Sequence, residues 1–164
     1  MTSSSPQAVR LADLLSPATI LLDLHANDRD SVLRELAETA AQTLGKPNCA
    51  ETLFQALKER ELLYSTGIGD GVALPHSRNV PPELAARPLL VFGRHPHGIP
   101  FQAIDHRPVH LFFLMLAANP SQHLYMLARL SRVLRQATVR EALLQAERPE
   151  QVITAIRDGE STLP

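Results

Sequence analysis

The chain has 164 residues, 45% of them hydrophobic and 20% charged, with a formal net charge of −1. This length and composition are typical of one globular domain with a single core. The near-neutral charge argues against the basic surface that binds nucleic-acid backbones, and no apolar run reaches the ~20 residues of a membrane span. We therefore expect neither nucleic acid nor a membrane as a partner.

The start of the chain and its cysteine content suggest where the protein acts. The opening MTSSSPQ lacks the charged and apolar segments of a secretory signal peptide, so we expect residues 1–10 to form a flexible N-terminal segment. Cys49 is the only cysteine, so no intramolecular disulfide can form. Both features predict a cytoplasmic protein.

The first third of the chain is predicted to be mainly helical. A short strand is expected near residues 20–22, and apolar residues then recur at helical spacing from about Asp28. Asn48 followed by Glu51 has the spacing of a capping box and predicts a second helix that extends to about Leu63.

Two apolar segments in the middle of the chain predict the central strands of a sheet. The segments PLLVFGR (88–94) and PVHLFFLMLA (108–117) are nearly continuous apolar runs, which are typical of strands covered on both faces. Between them, Pro96 and Gly98 predict a turn.

The last third predicts three helices. Asn119 as the cap and Pro120 at the first helical position begin the clearest helix of the chain. Thr138 is the predicted cap of a short helix, and Pro149 opens a final helix that is expected to stop at Gly159. Helices at both ends of the chain around a strand-rich middle predict an α/β layered domain.

A glycine-rich stretch, STGIGDGVALPH (65–76), lies between the predicted second helix and the central strands. Its glycines can turn the backbone sharply and point several amide N–H groups at an oxyanion. The spacing differs from that of ATP-binding loops and of dinucleotide-binding fingerprints. The three glycines are Gly67, Gly69 and Gly71.

The same stretch ends in a proline and a histidine. Pro75 lacks an N–H group and is expected to end strand pairing just before His76. A neutral imidazole is a competent nucleophile near pH 7. Taken alone, however, this pattern favours a structural, hydrogen-bonded histidine over a reactive one.

Three segments resemble the enzyme IIA domains of the bacterial phosphoenolpyruvate phosphotransferase system, in the fructose/mannitol class. Arg60 and Glu61, followed by STGIGDGVALPH, are similar to the active-site signature of this family. The segment FQAIDHRPVHLFFLML (101–116) resembles the nitrogen-regulatory branch of the class, and HLYMLARLSRVLR (123–135) is similar to its His-Leu helix.

The resemblance implies a fold and a set of site residues. It implies a three-layer α/β/α sandwich around a mixed β-sheet over residues 11–158, with a C-terminal tail at 159–164. It further implies that His76 accepts a phosphoryl group, assisted by His123 and Arg60. The implied donor is the phosphohistidine of an HPr-type carrier, and no cofactor or metal is implied.

The chemistry of phosphoryl transfer is compatible with these roles. Negative charge on the phosphoryl oxygens calls for preorganised donors, which the glycine amides and a forked Arg60 could provide. The hydroxyl of Thr66 either contacts the same oxygens or only stabilises the turn. Arg78 follows the histidine in a loop and is expected to be solvated.

Two positions depart from the pattern of the family. Ser77 stands where relatives often carry glycine or alanine. Tyr125 stands where some nitrogen-branch members have an additional histidine, so the resemblance supports a site with two histidines and not three.

Clustered histidines suggest a metal site as an alternative. Four histidines lie close in sequence, with Asp105 nearby, but the helical HExxH pair of zinc hydrolases is absent. Scattered loop histidines without a metal are therefore favoured. The four are His95, His97, His106 and His110.

Two functions agree with the resemblance. The sequence contains no IIB-like cysteine segment or IIC-like membrane domain, so we predict a regulatory phosphocarrier whose partners respond to the charge added to His76. The alternative is a sugar-specific enzyme IIA that passes the phosphoryl group to a separate IIB domain for fructose/mannitol-type uptake.

Overall fold

The computed structural model describes residues 9–164; residues 1–8 of the predicted N-terminal segment lie outside this range. Within it, five strands form one sheet and five α-helices pack around them. The strands are β1 (Ile20–Leu21), β2 (Gly67–Gly69), β3 (Val72–Ala73), β4 (Leu89–Ile99) and β5 (Val109–Leu116). The helices are α1 (Arg29–Thr43), α2 (Ala50–Leu63), α3 (Pro120–Leu134), α4 (Ala137–Gln145) and α5 (Pro149–Ser161).

The sheet is mixed, with the strand order β1-β4-β5-β3-β2. The pairs β1/β4 and β3/β5 are parallel, whereas β4/β5 and β2/β3 are antiparallel. The two long apolar segments form the long central strands, as the sequence predicted.

The side chains of β5 alternate between two cores because successive residues of a strand point to opposite faces. Leu111, Phe113 and Met115 pack with buried residues of α3, α4 and α5. Phe112 and Leu114 pack with buried residues of α1 and α2. The predicted three-layer α/β/α sandwich around a mixed sheet is therefore confirmed.

The predicted cap of α3 is confirmed, and α1 begins with a similar side-chain cap. Asp28 precedes α1, and its Oδ1 accepts a hydrogen bond from the Ser31 N–H at 2.8 Å. Asn119 precedes α3, and its Oδ1 accepts a hydrogen bond from the Gln122 N–H at 2.9 Å. Both bonds satisfy amide groups that the first helical turn leaves without partners.

The other two predicted caps are wrong. Asn48 lies within a short 3₁₀ turn, Pro47–Cys49, that leads directly into α2. Thr138 lies inside the first turn of α4, which Gln136 precedes. In both places the chain enters the helix from a preceding turn, so neither side chain sits at the boundary where capping is needed.

The predicted turn at Pro96 and Gly98 is also wrong, because β4 continues through both residues to Ile99. Pairing with β5 is interrupted between Arg94 and Ile99. This irregular stretch accommodates a proline, which has no N–H to donate, and a glycine with a φ of +83°.

The C-terminal helix extends past the predicted stop at Gly159 and ends at Ser161. A Cβ atom on Gly159 would lie 2.6 Å from Cγ2 of Val139 and 3.0 Å from Cγ1 of Val133. Glycine is therefore needed here for close helix packing and not as a terminator. Residues 159–161 of the predicted tail thus belong to α5. No helix in the described range is long and apolar enough to cross a membrane.

Candidate functional site

His76 lies just beyond β3, where the chain is held on both sides. The Leu74 N–H donates to the Thr66 carbonyl at 3.0 Å, and the Met115 N–H donates to the Pro75 carbonyl at 3.0 Å. The side chain of His76 is only 9% exposed. Neighbouring strands therefore fix the backbone up to the residue before the histidine.

One ring nitrogen of His76 has a defined protonation state. Its Nδ1 lies 2.6 Å from the carbonyl oxygen of Leu74. A carbonyl can only accept a hydrogen bond, so Nδ1 carries the proton in the neutral ring. The lone pair of the neutral imidazole is consequently on Nε2.

His123 completes a histidine pair. It lies in the first turn of α3 and is 8% exposed. The ring centroids of His76 and His123 are 5.1 Å apart, and their planes are inclined by 60°. The structure thus brings together two predicted site residues that are far apart in sequence.

Burial keeps both histidines uncharged at neutral pH. Burial lowers the pKa of His76 from 6.5 to about 4, with smaller contributions from His123, Arg60 and Arg78, against the opposing effect of the Leu74 hydrogen bond. The pKa of His123 is also lowered, first by burial and then by Arg78 and Arg60. A buried imidazole that cannot easily take up a proton keeps its lone pair available.

Two arginines line the groove that contains the histidine pair. Arg60 lies in the last turn of α2, and its Nη1 donates to the Tyr64 carbonyl at 2.6 Å. Arg78, which the sequence predicted to be solvated only, is exposed but also lines this groove. Its position two residues after the histidine was the available signal, but sequence proximity alone did not decide the direction of the side chain.

Thr66 is buried against a carboxylate. Its N–H lies 2.8 Å from Oε2 and 3.1 Å from Oε1 of Glu61, and its hydroxyl donates to Oε1 at 2.8 Å. The hydroxyl of Thr66 therefore stabilises the connection between α2 and β2. Burial raises the pKa of Glu61, against the lowering effect of these hydrogen bonds.

The three glycines do not line the groove that contains the histidine pair. Gly69 and Gly71 flank the β2–β3 turn, with φ values of +95° and +76°. This turn precedes β3, whereas His76 follows it, and Gly71 lines a separate hollow beside His110 and Arg140. The prediction that this turn binds an oxyanion at His76 is therefore wrong, because the turn and His76 lie at opposite ends of β3.

Gly67 serves another purpose in β2. Its N–H donates to the Ser65 hydroxyl at 3.0 Å. A Cβ atom on Gly67 would lie 2.6 Å from Cβ of Ala103. The close approach of these two segments, rather than a phosphoryl group, requires glycine here.

The remaining histidines of the middle segment are not arranged as ligands of a metal ion. His95 is buried, with Nε2 3.1 Å from Oδ1 of Asn27, and its carbonyl lies 3.1 Å from Nδ1 of His110. Among residues 9–164, no three His, Cys, Asp or Glu side chains are placed to hold a metal ion. The metal alternative therefore has no geometric support in this range.

An apolar rim surrounds the groove. Leu62 and Leu63 at the end of α2 and Leu124 next to His123 line it and are between 58% and 72% exposed. Exposed leucines beside neutral histidines and two cations form a surface suited to contact with another protein.

Comparisons with known proteins agree with this fold and motif order. The family model "Phosphoenolpyruvate-dependent sugar phosphotransferase system, EIIA 2" matches residues 13–159. A nitrogen regulatory protein from Bradyrhizobium diazoefficiens is 36% identical over 148 residues, covering 89% of this chain and 93% of that protein. The crystal structure of the nitrogen regulatory protein IIA-Ntr from Neisseria meningitidis superimposes with a TM-score of 0.77 at 28% identity, covering 88% of this chain and 97% of that one.

A further relative is much longer. The fructose-specific EIIABC component of Bacillus subtilis is 32% identical over 150 residues, which cover 90% of this chain but 23% of that protein. The chain thus spans less than a quarter of the length of this relative. The extent of the family match shows that the chain belongs to the EIIA 2 family of the phosphoenolpyruvate-dependent sugar phosphotransferase system. Membership in this family supports a phosphocarrier role.

Proposed function

We propose that this protein is a cytosolic regulatory phosphocarrier that accepts a phosphoryl group on Nε2 of His76 from the phosphohistidine of an HPr-type carrier. The observation that carries the proposal is the hydrogen bond from Nδ1 of His76 to the Leu74 carbonyl. It leaves Nε2 as the unprotonated nitrogen, in a neutral ring beside His123.

The proposed phosphoryl transfer needs no general base, because Nε2 carries no proton. The lone pair of Nε2 attacks the phosphorus, and the N–P bond of the donor breaks with its electron pair returning to the donor imidazole. The His76 ring becomes positively charged as the new bond forms, and the Leu74 carbonyl stabilises the N–H that carries part of this charge. Arg60 and His123 are positioned to stabilise the phosphoryl oxygens.

Docking of the donor is supported by the apolar rim. The exposed leucines, Leu62, Leu63 and Leu124, offer apolar area that contact with another protein would remove from water. The positive charges of Arg60 and Arg78 favour the approach of a partner that carries a phosphoryl group.

A relative of similar length supports the regulatory role. The Bradyrhizobium relative is named a nitrogen regulatory protein and matches this chain over nearly the full length of both. The alternative, a sugar-specific enzyme IIA with a IIB acceptor, is supported by the Bacillus fructose-specific EIIABC component. Rapid loss of label to fructose- or mannitol-type IIB domains would favour transport, whereas retention of the label would favour regulation.

The acceptor is tested by labelling with phosphoenolpyruvate, enzyme I and an HPr-type carrier, followed by mapping of acid-labile phosphate by mass spectrometry. We expect stoichiometric label on His76 and none in His76→Ala. Replacement of the exposed His97 by alanine is the matched control and should leave labelling intact. Stoichiometric labelling of His76→Ala would exclude the assignment.

The role of His123 is separable in the same assay. Because His123 contacts the acceptor ring without being the proposed nucleophile, His123→Ala should still take up label, but at a lower rate in both directions. Unchanged rates of uptake and onward transfer would remove His123 from the mechanism.

A further inference from the structure

Arg78 occupies a distinctive place beside the histidine pair. It lines the groove with His76, His123 and Arg60, and it also lines an adjoining hollow at the start of α3 with Asn119 and His123. The side chain of Arg78 therefore lies between the groove and the hollow, both of which are also lined by His123.

The charge of Arg78 has no acidic neighbour in the described part of the chain. Among residues 9–164, no carboxylate oxygen lies within 4.0 Å of its guanidinium. Arg60 differs, because Nη1 of that residue is held by the Tyr64 carbonyl at 2.6 Å. Arg78 is exposed, so its donors face solvent and can turn to a new anion without breaking an ion pair.

The positive charge of Arg78 also acts on both rings, which line the same groove. After burial, Arg78 is the largest influence that lowers the pKa of His123, ahead of Arg60. It also contributes to the lowered pKa of His76. A cation that disfavours protonation of both histidines favours a dianion placed between them, because the sign of the interaction reverses.

We propose that Arg78 is a phosphoryl-binding residue, which turns from solvent onto the phosphoryl group of His76 once that group has been transferred. This inference rests on the proposed function, in which His76 is the acceptor. A phosphoryl group carries about −1.5 to −2 charges and matches the forked guanidinium with two parallel hydrogen bonds. Arg60 lines the groove from α2, and Arg78 would reach the phosphoryl group from the loop that follows β3.

This contact has a consequence for partners. In the unphosphorylated protein Arg78 presents a free cation next to the apolar rim. In the phosphorylated protein the same cation is neutralised by the phosphoryl group. A partner with acidic groups at this position would therefore distinguish the two states by one arginine.

The test measures the equilibrium constant for phosphoryl exchange between the HPr-type carrier and this protein. This constant depends on the free energy of the phosphohistidine and not on how well the two proteins dock. We expect Arg78→Gln to lower it about 5- to 10-fold, as loss of a charge-assisted hydrogen bond predicts. The exchange constant of Arg78→Lys should lie between those of the parent protein and Arg78→Gln. Arg107→Gln removes an exposed charge beside the β2–β3 turn and is the control, so its exchange constant should match that of the parent protein.

A second measurement avoids the carrier. Phosphoramidate phosphorylates histidines chemically, and ³¹P NMR then follows the titration of the phosphoryl group on His76. Loss of a contacting cation should raise the pKa of that group by about 0.5–1 pH unit in Arg78→Gln. The Arg107→Gln control should titrate like the parent.

The outcomes separate the two proposals. If the parent protein takes label from the carrier, but Arg78→Gln changes neither the equilibrium nor the ³¹P titration, the role of Arg78 is excluded and the proposed function stands. A change in transfer rate alone would assign Arg78 to docking and would also overturn the inference. If the carrier never labels the parent protein, yet chemically phosphorylated His76 titrates differently in Arg78→Gln, the proposed function fails and Arg78 remains a phosphoryl ligand.

Discussion

His76 combines an unprotonated ring nitrogen with a buried position. Packing of the ring under the groove lowers its pKa to about 4, so the imidazole stays neutral over a wide pH range. The Leu74 carbonyl selects the tautomer with a free Nε2. A histidine that is structurally hydrogen-bonded at one nitrogen is thereby prepared for reaction at the other, so the two interpretations of this residue are compatible.

The same lowered pKa predicts how stability changes with pH. As the pH falls below 6.5, a histidine in the unfolded chain gains a proton that folded His76 refuses until about pH 4. The contribution of His76 to the stability of the folded protein is therefore fully present above pH 6.5 and is lost as the pH falls from 6.5 to 4. Between pH 7.5 and 4.5, the free energy of unfolding of His76→Asn should fall by roughly 2–3 kcal/mol less than that of the parent protein.

Urea unfolding at these two pH values measures the difference. Because the chain has no tryptophan, far-UV circular dichroism is the suitable signal. Parallel losses of stability in the parent and His76→Asn would contradict the burial of a neutral imidazole.

Among the elements, the junction between α2 and β2 determines where Arg60 lies relative to the strands. Glu61 in the last turn of α2 accepts hydrogen bonds from the N–H and the hydroxyl of Thr66, which directly precedes β2. The carboxylate is only 4% exposed, so water cannot replace it as an acceptor. The sequence showed a helix followed by a glycine-rich turn but not this contact.

Removal of the carboxylate should loosen the junction. In Glu61→Ala two buried donors of Thr66 lose their acceptor, and we expect the free energy of unfolding to fall by about 2–3 kcal/mol. Replacement of the exposed Glu59 on the same helix should change it by less than about 0.5 kcal/mol. Urea unfolding measures the stability of each variant, and amide hydrogen exchange at Thr66 shows whether the loosening occurs at this junction. Equal stability of the Glu61 and Glu59 variants would refute the contact.

For the molecule as a whole, one buried carboxylate joins the two ends of the described chain. Oε1 of Glu160 accepts from the Leu11 N–H at 2.9 Å, and Oε2 accepts from Nε of Arg129 at 2.8 Å. Arg129 belongs to α3, the helix that carries His123. The last turn of α5 therefore supports the layer of helices that holds one side of the site.

Truncation tests this arrangement. A chain that ends at Asp158 lacks Glu160, so a partly buried guanidinium and a buried N–H are left without an acceptor. We expect it to be less stable than the parent by about 2–4 kcal/mol. A chain that ends at Ser161 retains the carboxylate and is the control. If both truncated chains unfolded at the same urea concentration, the domain would end at residue 158, as the resemblance to the family implied.

Local sequence determined much of this protein. Apolar periodicity located α1 and α3, because a helix with one buried face must repeat its apolar residues at its own period. Continuous apolar runs located β4 and β5, because both faces of these strands are covered. The capping side chain of α3 was evident for a similar reason, since the hydrogen bond that Asn119 accepts spans only three residues. The order of the motifs was enough to indicate the family.

Only the tertiary structure decided what surrounds His76. How β3 lies between its neighbours determines the approach of His123, the position of Arg78 beside the groove and the separation of the glycine turn from the histidine. No local pattern encodes such contacts, because they join residues that packing alone brings together. In the sequence the glycines suggested a phosphoryl-binding turn, yet Gly69 and Gly71 reverse the chain before β3, whereas His76 follows this strand.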